Sequence, residues 1–451
     1  MLKSNVKIRR IFVNTKVVKF GGTSLADAEQ FKKVADIIKS DPERRFVVPS
    51  APGQRPGHAD DIKVTDMLYK TYELASKGRD ITEIFDKIKE RYNDIIRDLA
   101  LDMSLDVEFA KIRNGIINKA GRDYAASRGE YLSGLIMANY LGFQFIDPAD
   151  DAIFFNNNGS FDAERTNVAL KSRLNYCRNA VIPGFYGAMP NGTIKTFSRG
   201  GSDVTGSIVA RAAGAVLYEN WKDVSGFMMA DPRIINDPKA IDVITYREMR
   251  ELSYMGAQVL HEDAIFPVRI AKIPINIKNT NAPGEPGTFI VSHTDEPPGN
   301  IITGVAGRKS FVVIIIEKDM MNTEIGFVRR VLDVFEKYNI NFEHLPTGID
   351  TLSIIINEQD GETFKDALFK DLDAKVKPDS IQYQKSLALI AVVGRGMVRT
   401  KGTAARVFTA VAEAGVNIRM IDQGSSELNI IIGVNDGDFE RAMRAIYNAF
   451  A

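Results

Sequence analysis

The sequence predicts an α/β domain with a mostly parallel sheet sandwiched by helices, followed by two interleaved, ferredoxin-like α+β units. Three observations carry this. Strand-like and helix-like segments alternate up to about residue 220. Two glycine-rich stretches, Lys19-Phe20-Gly21-Gly22-Thr23-Ser24 and Ser198-Arg199-Gly200-Gly201-Ser202-Asp203, stand just after an apolar strand and just before a helical run. The last third of the chain repeats itself at a fixed offset.

Residues 16–20 read as a short buried strand. Ser24-Leu25-Ala26-Asp27 has the form of a capping box, with Phe31, Val34, Ile37 and Ile38 as the apolar stripe of the helix behind it. Residues 45–48 form a second strand that enters the turn Pro49-Ser50-Ala51-Pro52-Gly53. Helical periodicity with many charges over 63–117 predicts a largely helical excursion. Glu130 precedes a very apolar helix at 131–141, where a carboxylate suits the helix dipole. A strand at 180–182, a helix at 204–213 and a strand at 215–219 continue the alternation. Trp221-Lys222-Asp223-Val224-Ser225-Gly226-Phe227 then forms a loop at a strand's carboxyl end, where open α/β sheets bind ligands. Residues 274–290 are strand-like and punctuated by Pro and Gly, and Pro297-Pro298-Gly299 marks a boundary.

Beyond that boundary, a shift of 76 places Gly326 on Gly402, Arg330 on Arg406, Asn341 on Asn417 and Gly348 on Gly424. Each copy reads strand, helix, strand, strand, helix. The second copy lacks a closing strand, and residues 301–306 form a spare strand ahead of the first. That strand is expected to complete the second copy's sheet. The layout is therefore an N-terminal extension at 1–15, an α/β domain at 16–295, a first small domain at 308–385, and a second made of 299–307 with 386–451.

The chain has 451 residues, enough for two or three domains. It carries 58 basic and 58 acidic residues, a balance without the electrostatic footprint of a nucleic-acid binder. Cys177 stands alone, so no internal disulfide can form. His58, His261, His293 and His344 lack zinc-ligand spacing. No metal site from the protein is expected, only a hard cation arriving with substrate. Neither a signal-peptide core nor a run of 18 apolar residues occurs, which predicts no membrane association and a reducing, cytoplasmic location.

The two glycine-rich stretches suggest a phosphoryl-transfer site closed from both sides, because each leaves backbone N–H groups uncovered near a helix start. Lys19 stands beside Gly21 and Gly22, where no side chain blocks a polyphosphate. Arg199 can grip a carboxylate or phosphate with two parallel bonds. Asp203 can hold Mg²⁺ or orient Lys19, and Asp223 and Arg233 can address a nucleotide. Plainer readings stand beside these: a solvated lysine at a strand end, a turn with a Ser/Asp cap, a carboxylate favouring a helix dipole, and turn chemistry around Gly226 and Pro232. Ala391-Val392-Val393-Gly394-Arg395-Gly396 has the start of a dinucleotide fingerprint, but Arg399 stands where its third glycine belongs.

Together these segments resemble the aspartate kinases, over nearly the whole chain after about residue 15. The resemblance rests on Val-Lys-Phe-Gly-Gly-Thr-Ser at the start, Arg-Gly-Glu at 128–130, Arg-Gly-Gly-Ser-Asp at 199–203, Asp-Val-Ser-Gly at 223–226, Asp-Pro-Arg at 231–233 and Gly-Ala-Gln-Val-Leu-His at 256–261. It implies an amino-acid-kinase domain followed by two ACT domains, with Asn417 to Ser426 resembling the second ACT signature. The implied reaction is ATP-dependent phosphorylation of the β-carboxylate of L-aspartate, opening lysine, threonine and methionine biosynthesis. Lys19, Gly21, Gly22, Thr23 and Ser24 would meet the phosphates of Mg²⁺-bound ATP. Asp223, Arg233 and Gln258 would bind the nucleotide. Ser50, Glu130, Arg199 and Ser202 would hold aspartate, with Glu130 at its ammonium group. Asp203 would organise the centre.

The resemblance also implies feedback by lysine, threonine or both, and a homodimer or higher oligomer through the ACT domains. Gly326, Asn341, Glu343, Asn417 and Gln423 are the candidate effector contacts. The chain stops directly after the second repeat, which leaves no room for an appended homoserine dehydrogenase and predicts the monofunctional form. Lys222, Met228 and Gln258 depart from residues common in the family, as does His261-Glu262-Asp263. Two rivals stay open. One is an acetylglutamate or glutamate kinase, the former disfavoured by Glu130 because its acylated nitrogen carries no charge. The other is an amino-acid sensor with an inactive kinase half.

Overall fold

A computed structural model describes residues 14–58, 60–198, 200–257, 260, 264–294 and 299–451. The expected N-terminal extension lies almost wholly outside the described residues, as do Arg199, Gln258 and His261-Glu262-Asp263. No helix among the described residues is long and apolar enough to cross a membrane.

The chain divides into two compact units, the first comprising residues 1–227, 242–246 and 259–294. Its strands are β1 (Lys16–Phe20), β2 (Arg44–Pro49), β3 (Gln144–Phe145), β4 (Ala180–Val181), β5 (Tyr186–Ala188), β6 (Ile194–Thr196), β7 (Leu217–Lys222), β8 (Val243–Thr245), β9 (Ile275–Asn279) and β10 (Thr288–Val291). Eight of them form one sheet in the order β3-β4-β2-β1-β7-β9-β10-β8, and β5 and β6 make a separate hairpin. Every pairing in the large sheet is parallel except β9 with β10. β1 lies at its centre because Val-Val-Lys-Phe is buried on both faces, as a parallel strand requires.

Helices α1 (Ala28–Lys39), α2 (Val64–Ser76), α3 (Thr82–Asp98), α4 (Asp106–Ile117) and α5 (Arg122–Leu141) pack on one face. There Val18 and Phe20 join Phe31, Leu68, Phe85, Ile88, Phe109 and Ile136 in one core. Alternation along the strand turns Val17 and Lys19 to the opposite face. That face meets α7 (Gly201–Ala213), which packs on β1, β2 and β7, while α6 (Ala163–Asn175) packs on α7.

Two local expectations are corrected. The cap of α1 is Asp27, whose side chain accepts from the Gln30 N–H at 2.9 Å, whereas Thr23–Leu25 forms a short 3-10 turn. Ser24 therefore lies one turn too early to cap the helix. Glu130 lies in the middle of α5, because that helix starts at Arg122 after Gly121, whose φ of 113° is open to glycine. Its role is set by what it faces, since it is too far from the helix end for the dipole.

The second unit takes in residues 228–241, 247–258 and 295–451. The first two segments fall within the 16–295 span expected for the α/β domain. They group here because the Val305 N–H donates to Met229 O at 2.7 Å, and because Glu248, in α8 (Tyr246–Tyr254), accepts from Thr303 Oγ1 at 2.6 Å and pairs with Arg395 at 3.0 Å. The first unit also holds the short α9 (Phe266–Ile270). Strands β11 (Gly304–Glu317), β12 (Thr351–Asn357), β13 (Ser380–Val393), β14 (Met420–Asp422) and β15 (Asn429–Asn435) form a five-stranded antiparallel sheet in the order β12-β11-β13-β15-β14. Helices α10 (Phe327–Lys337), α11 (Glu358–Val376), α12 (Thr403–Glu413) and α13 (Phe439–Phe450) complete the two repeats.

The spare strand before the first repeat is the leading end of β11. Residues 304–308 pair with 389–393 of the second repeat, and residues 311–317 of the same strand pair with β12. Register shifts separate the two halves near Ser310. Of the strands expected in the first repeat, the one ahead of β12 is reduced to two isolated bridges, His344 with Ile355 and Thr347 with Leu352. Pro346 interrupts it by removing a backbone donor.

Candidate active site

Strands β2, β1 and β7 are neighbours, with Phe20 in register with both Pro49 and Trp221. The segments leaving their carboxyl ends therefore emerge side by side, as ligand-binding loops do in open α/β sheets. They enclose a cavity of about 340 Å³ lined by Lys19, Gly21, Gly22, Thr23, Ser50, Ala51, Pro52, Gly53, Lys63, Thr65, Glu130, Lys222 and Asp223.

Glycine is required where the loops cross. The Gly53 N–H donates to Gly22 O at 2.7 Å, and a Cβ on Gly53 would lie 2.6 Å from the Gly22 carbonyl carbon. Gly129 plays the same part on α5, since a Cβ there would lie 2.6 Å from that of Ala51. The result is a floor of bare backbone. Both α2, which starts after Lys63, and α7, which starts after Gly200 with φ 67°, lack side-chain caps. Uncapped helix starts of this length favour anions.

Lys19, which lines the cavity, is brought together with Asp203. Lys19 Nζ lies 2.7 Å from Asp203 Oδ1, and both side chains are buried. Lys222 Nζ lies 3.2 Å from Asp203 Oδ2, and Asn220 Nδ2 donates to Oδ1 at 3.0 Å. Burial pushes the Asp203 carboxyl up, but the Lys19 and Lys222 ammonium groups outweigh it and hold it well below the usual carboxylate range. Burial also draws Lys19 below its ordinary value, against the pull of Asp203.

Glu130 is fully buried, and burial raises its carboxyl to about 7 against opposing help from backbone hydrogen bonds at Ala51 and from Lys19. Its Oε2 has no hydrogen-bond partner among the described residues. An orphaned carboxylate oxygen at the wall of a polar cavity is costly unless a cation arrives to meet it.

The other candidates have surroundings of their own. The Ser24 hydroxyl is engaged with that of Thr280 at 2.8 Å, and Ser202 is buried against Gly184 in the first turn of α7. Arg233 belongs to the second unit, exposed and paired with Asp231 at 2.7 Å. Also in that unit, Gly326 takes a φ of 79° before α10, Asn341, Asn417 and Gln423 are exposed, and Glu343 lies 3.9 Å from Arg308. Among the described residues, no three His, Cys, Asp or Glu side chains cluster as metal ligands.

Lys63, Thr65 and the contact of Lys222 with Asp203 escaped the sequence reading. Their available signal was Lys63-Val64-Thr65-Asp66 opening a helix, a second bare N-terminus read only as part of a helical excursion. Lys222→Thr is expected to raise KM for the nucleotide about tenfold, the loss of roughly one charge-assisted hydrogen bond. Initial rates at varied nucleotide concentration check this, and an unaltered KM would show that Lys222 serves only Asp203.

Fold and site together define the class. A profile described as the amino acid kinase family matches residues 14–279, more than half of the chain, and one described as ACT domain matches residues 390–450. Aspartokinase 3 of Bacillus subtilis is 38% identical over 96% of this chain and 98% of its own length. The crystal structure of Clostridium acetobutylicum aspartate kinase superposes with a TM-score of 0.92 at 51% identity, covering 97% of this chain and all of that one. That of E. coli aspartokinase III with aspartate and ADP gives 0.73 at 25% identity, covering 96% and 99%. The chain thus belongs to the aspartate kinases of the amino acid kinase family, and is a phosphotransferase with an allosteric, ACT-containing architecture.

Proposed function

We propose that the protein transfers the γ-phosphoryl group of ATP to the β-carboxylate of L-aspartate, giving 4-phospho-L-aspartate and ADP. The observation that carries this reading is the buried, unpartnered Glu130 oxygen at the wall of a cavity also lined by Lys19, whose ammonium is paired with Asp203. Glu130 meets the substrate ammonium, and Ser50 and Arg199 hold its carboxylates.

The acceptor carboxylate, with an ordinary pKa near 3.9, is already ionised at neutral pH and needs no general base. The barrier is repulsion between that carboxylate and a triphosphate. Lys19, with Lys222 behind it, offsets the repulsion, while the bare backbone of Gly21 and Gly22 and the α2 and α7 starts receive phosphate oxygens. One carboxylate oxygen forms the new bond to the γ-phosphorus as the bond to the departing ADP oxygen breaks. Asp203 stays ionised and holds Lys19 in line. Mg²⁺ brought in with ATP would supply further charge neutralisation at the phosphates, beside that of Lys19 and Lys222.

The E. coli enzyme has also been solved with lysine and aspartate, with a TM-score of 0.72 at 26% identity over 96% of this chain and 99% of that one. That likeness supports lysine as feedback effector here through the ACT repeats, with threonine, alone or beside it, the other effector the family resemblance implies. The reaction then stands at the head of lysine, threonine and methionine biosynthesis. A coupled assay of ADP release with aspartate, acetylglutamate and glutamate, each with and without lysine and threonine, tests both parts. Turnover with aspartate alone among the acceptors is expected. Preference for another acceptor, or no turnover, overturns the substrate assignment, and rates indifferent to both amino acids overturn the effector assignment.

A further inference from the structure

The helical excursion between β2 and β3 holds a buried arginine that the chemistry above does not use. Arg91 on α3 is 6% exposed, in a helix whose other inward residues are Phe85, Ile88, Tyr92, Ile95 and Ile96. A buried guanidinium in an apolar stripe is costly unless its donors are met. Here one nitrogen, Nη1, donates to Ala26 O and Gly53 O, each at 3.2 Å. The other, Nη2, pairs with Asp61, which in turn accepts from the Arg55 N–H at 2.9 Å and from Arg55 Nη2 at 2.9 Å. The two carbonyls belong to the two crossing loops. Ala26 closes the turn that follows Gly21 and Gly22, and Gly53 closes the turn that begins with Ser50. The next residue, Tyr92, is fully buried and donates its hydroxyl to Gly129 O at 2.7 Å, one position before Glu130.

Two consecutive residues of one helix thus reach three parts of the cavity wall: the glycine loop, the Ser50 loop and the Glu130 helix. We infer that Arg91 and Tyr92 are positioning residues for phosphoryl transfer, Arg91 holding the two loops at their crossing and Tyr92 fixing the depth of Glu130. Neither touches substrate. A shift of about 1 Å in a reacting group is enough to cost a hundredfold in rate, so a brace at this point governs catalysis without taking part in it. Lysine in place of Arg91 keeps a charge for Asp61 but cannot span both carbonyls, because its single ammonium lacks the planar fork.

The inference rests on the proposed aspartate kinase reaction, and wild-type turnover with aspartate is measured first, so that failure of that reading is seen separately. Arg91→Lys, Arg91→Met and Tyr92→Phe are then compared by thermal melting, active-site titration and steady-state kinetics per active site. Arg91→Lys and Arg91→Met are expected to lower kcat/KM per active site by about 100-fold, with KM for ATP and for aspartate rising together. Tyr92→Phe is expected to raise KM for aspartate five- to tenfold and to leave KM for ATP unchanged. A residue with only a structural role would lower the melting temperature or the active fraction while the surviving sites kept wild-type KM values. That result for Tyr92→Phe and Arg91→Lys would overturn the inference. Should Arg91→Met fail to fold, these two milder variants decide it.

Discussion

Lys19→Ala is expected to fold and to lose at least about 100-fold in kcat, the usual consequence of removing one well-placed donor from a transition state of growing negative charge. The expectation that it folds comes from the rest of the cluster. Asp203 would keep Lys222 at 3.2 Å and Asn220 at 3.0 Å, so its charge would not be left bare. KM for aspartate should change little, because Lys19 acts where charge develops, away from the substrate's ammonium group. Single-turnover rates with saturating ATP measure this directly. Near-normal turnover in a folded Lys19→Ala enzyme would remove the residue from the mechanism.

Glu130→Gln should separate binding from stability, with opposite signs for the two. The Glu130 carboxyl stands at about 7 in the folded chain, above its ordinary value of 4.5, so the fold prefers its neutral form. That contribution to stability is whole below about pH 4.5 and is lost as pH rises through about 7. The shift corresponds to about 3 kcal/mol. In the absence of ligand, Glu130→Gln should therefore match the wild type at pH 4.5 and exceed it at pH 8 by up to about 3 kcal/mol, read from denaturant melts. Aspartate binding should move the other way. Loss of one partner from a buried charge pair costs about 2–5 kcal/mol, or 30-fold and upward in KM for aspartate. Wild-type affinity for aspartate should also fall as pH drops below about 7, while the Gln variant stays flat over the same range. Equal aspartate affinities for the two enzymes would show that the ammonium group is bound elsewhere.

The pattern of residues revealed much of this molecule, though unevenly. The parallel sheet was legible because its strands are apolar runs with glycine at their carboxyl ends, and the regulatory half because its repeat needs no gap. The pairing of β11 with the second repeat was also legible, since one copy had a strand to spare and the other lacked one. Glu130 was placed at a helix start because the apolar run begins there. In fact α5 begins at Arg122, and its early turns interrupt the apolar pattern with Arg128, whose guanidinium lies over the Tyr124 and Tyr186 rings. Ser24 suggested a cap by residue type, whereas Asp27 has the extended backbone that a cap needs. Lys63, Thr65 and Arg91 stayed hidden for a different reason. Their roles depend on a helical excursion folding back over the sheet, a long-range contact that periodicity cannot report.

β11 and β13 are each 14 residues long, and each serves both ACT repeats. Neither repeat can therefore be excised by cutting the chain at a linker, since any cut would strip a strand from the other. Melting should take both repeats apart in a single cooperative step. An amino acid that tightened one of them would act at once on its twin, through shared covalent backbone and with no docking surface to cross.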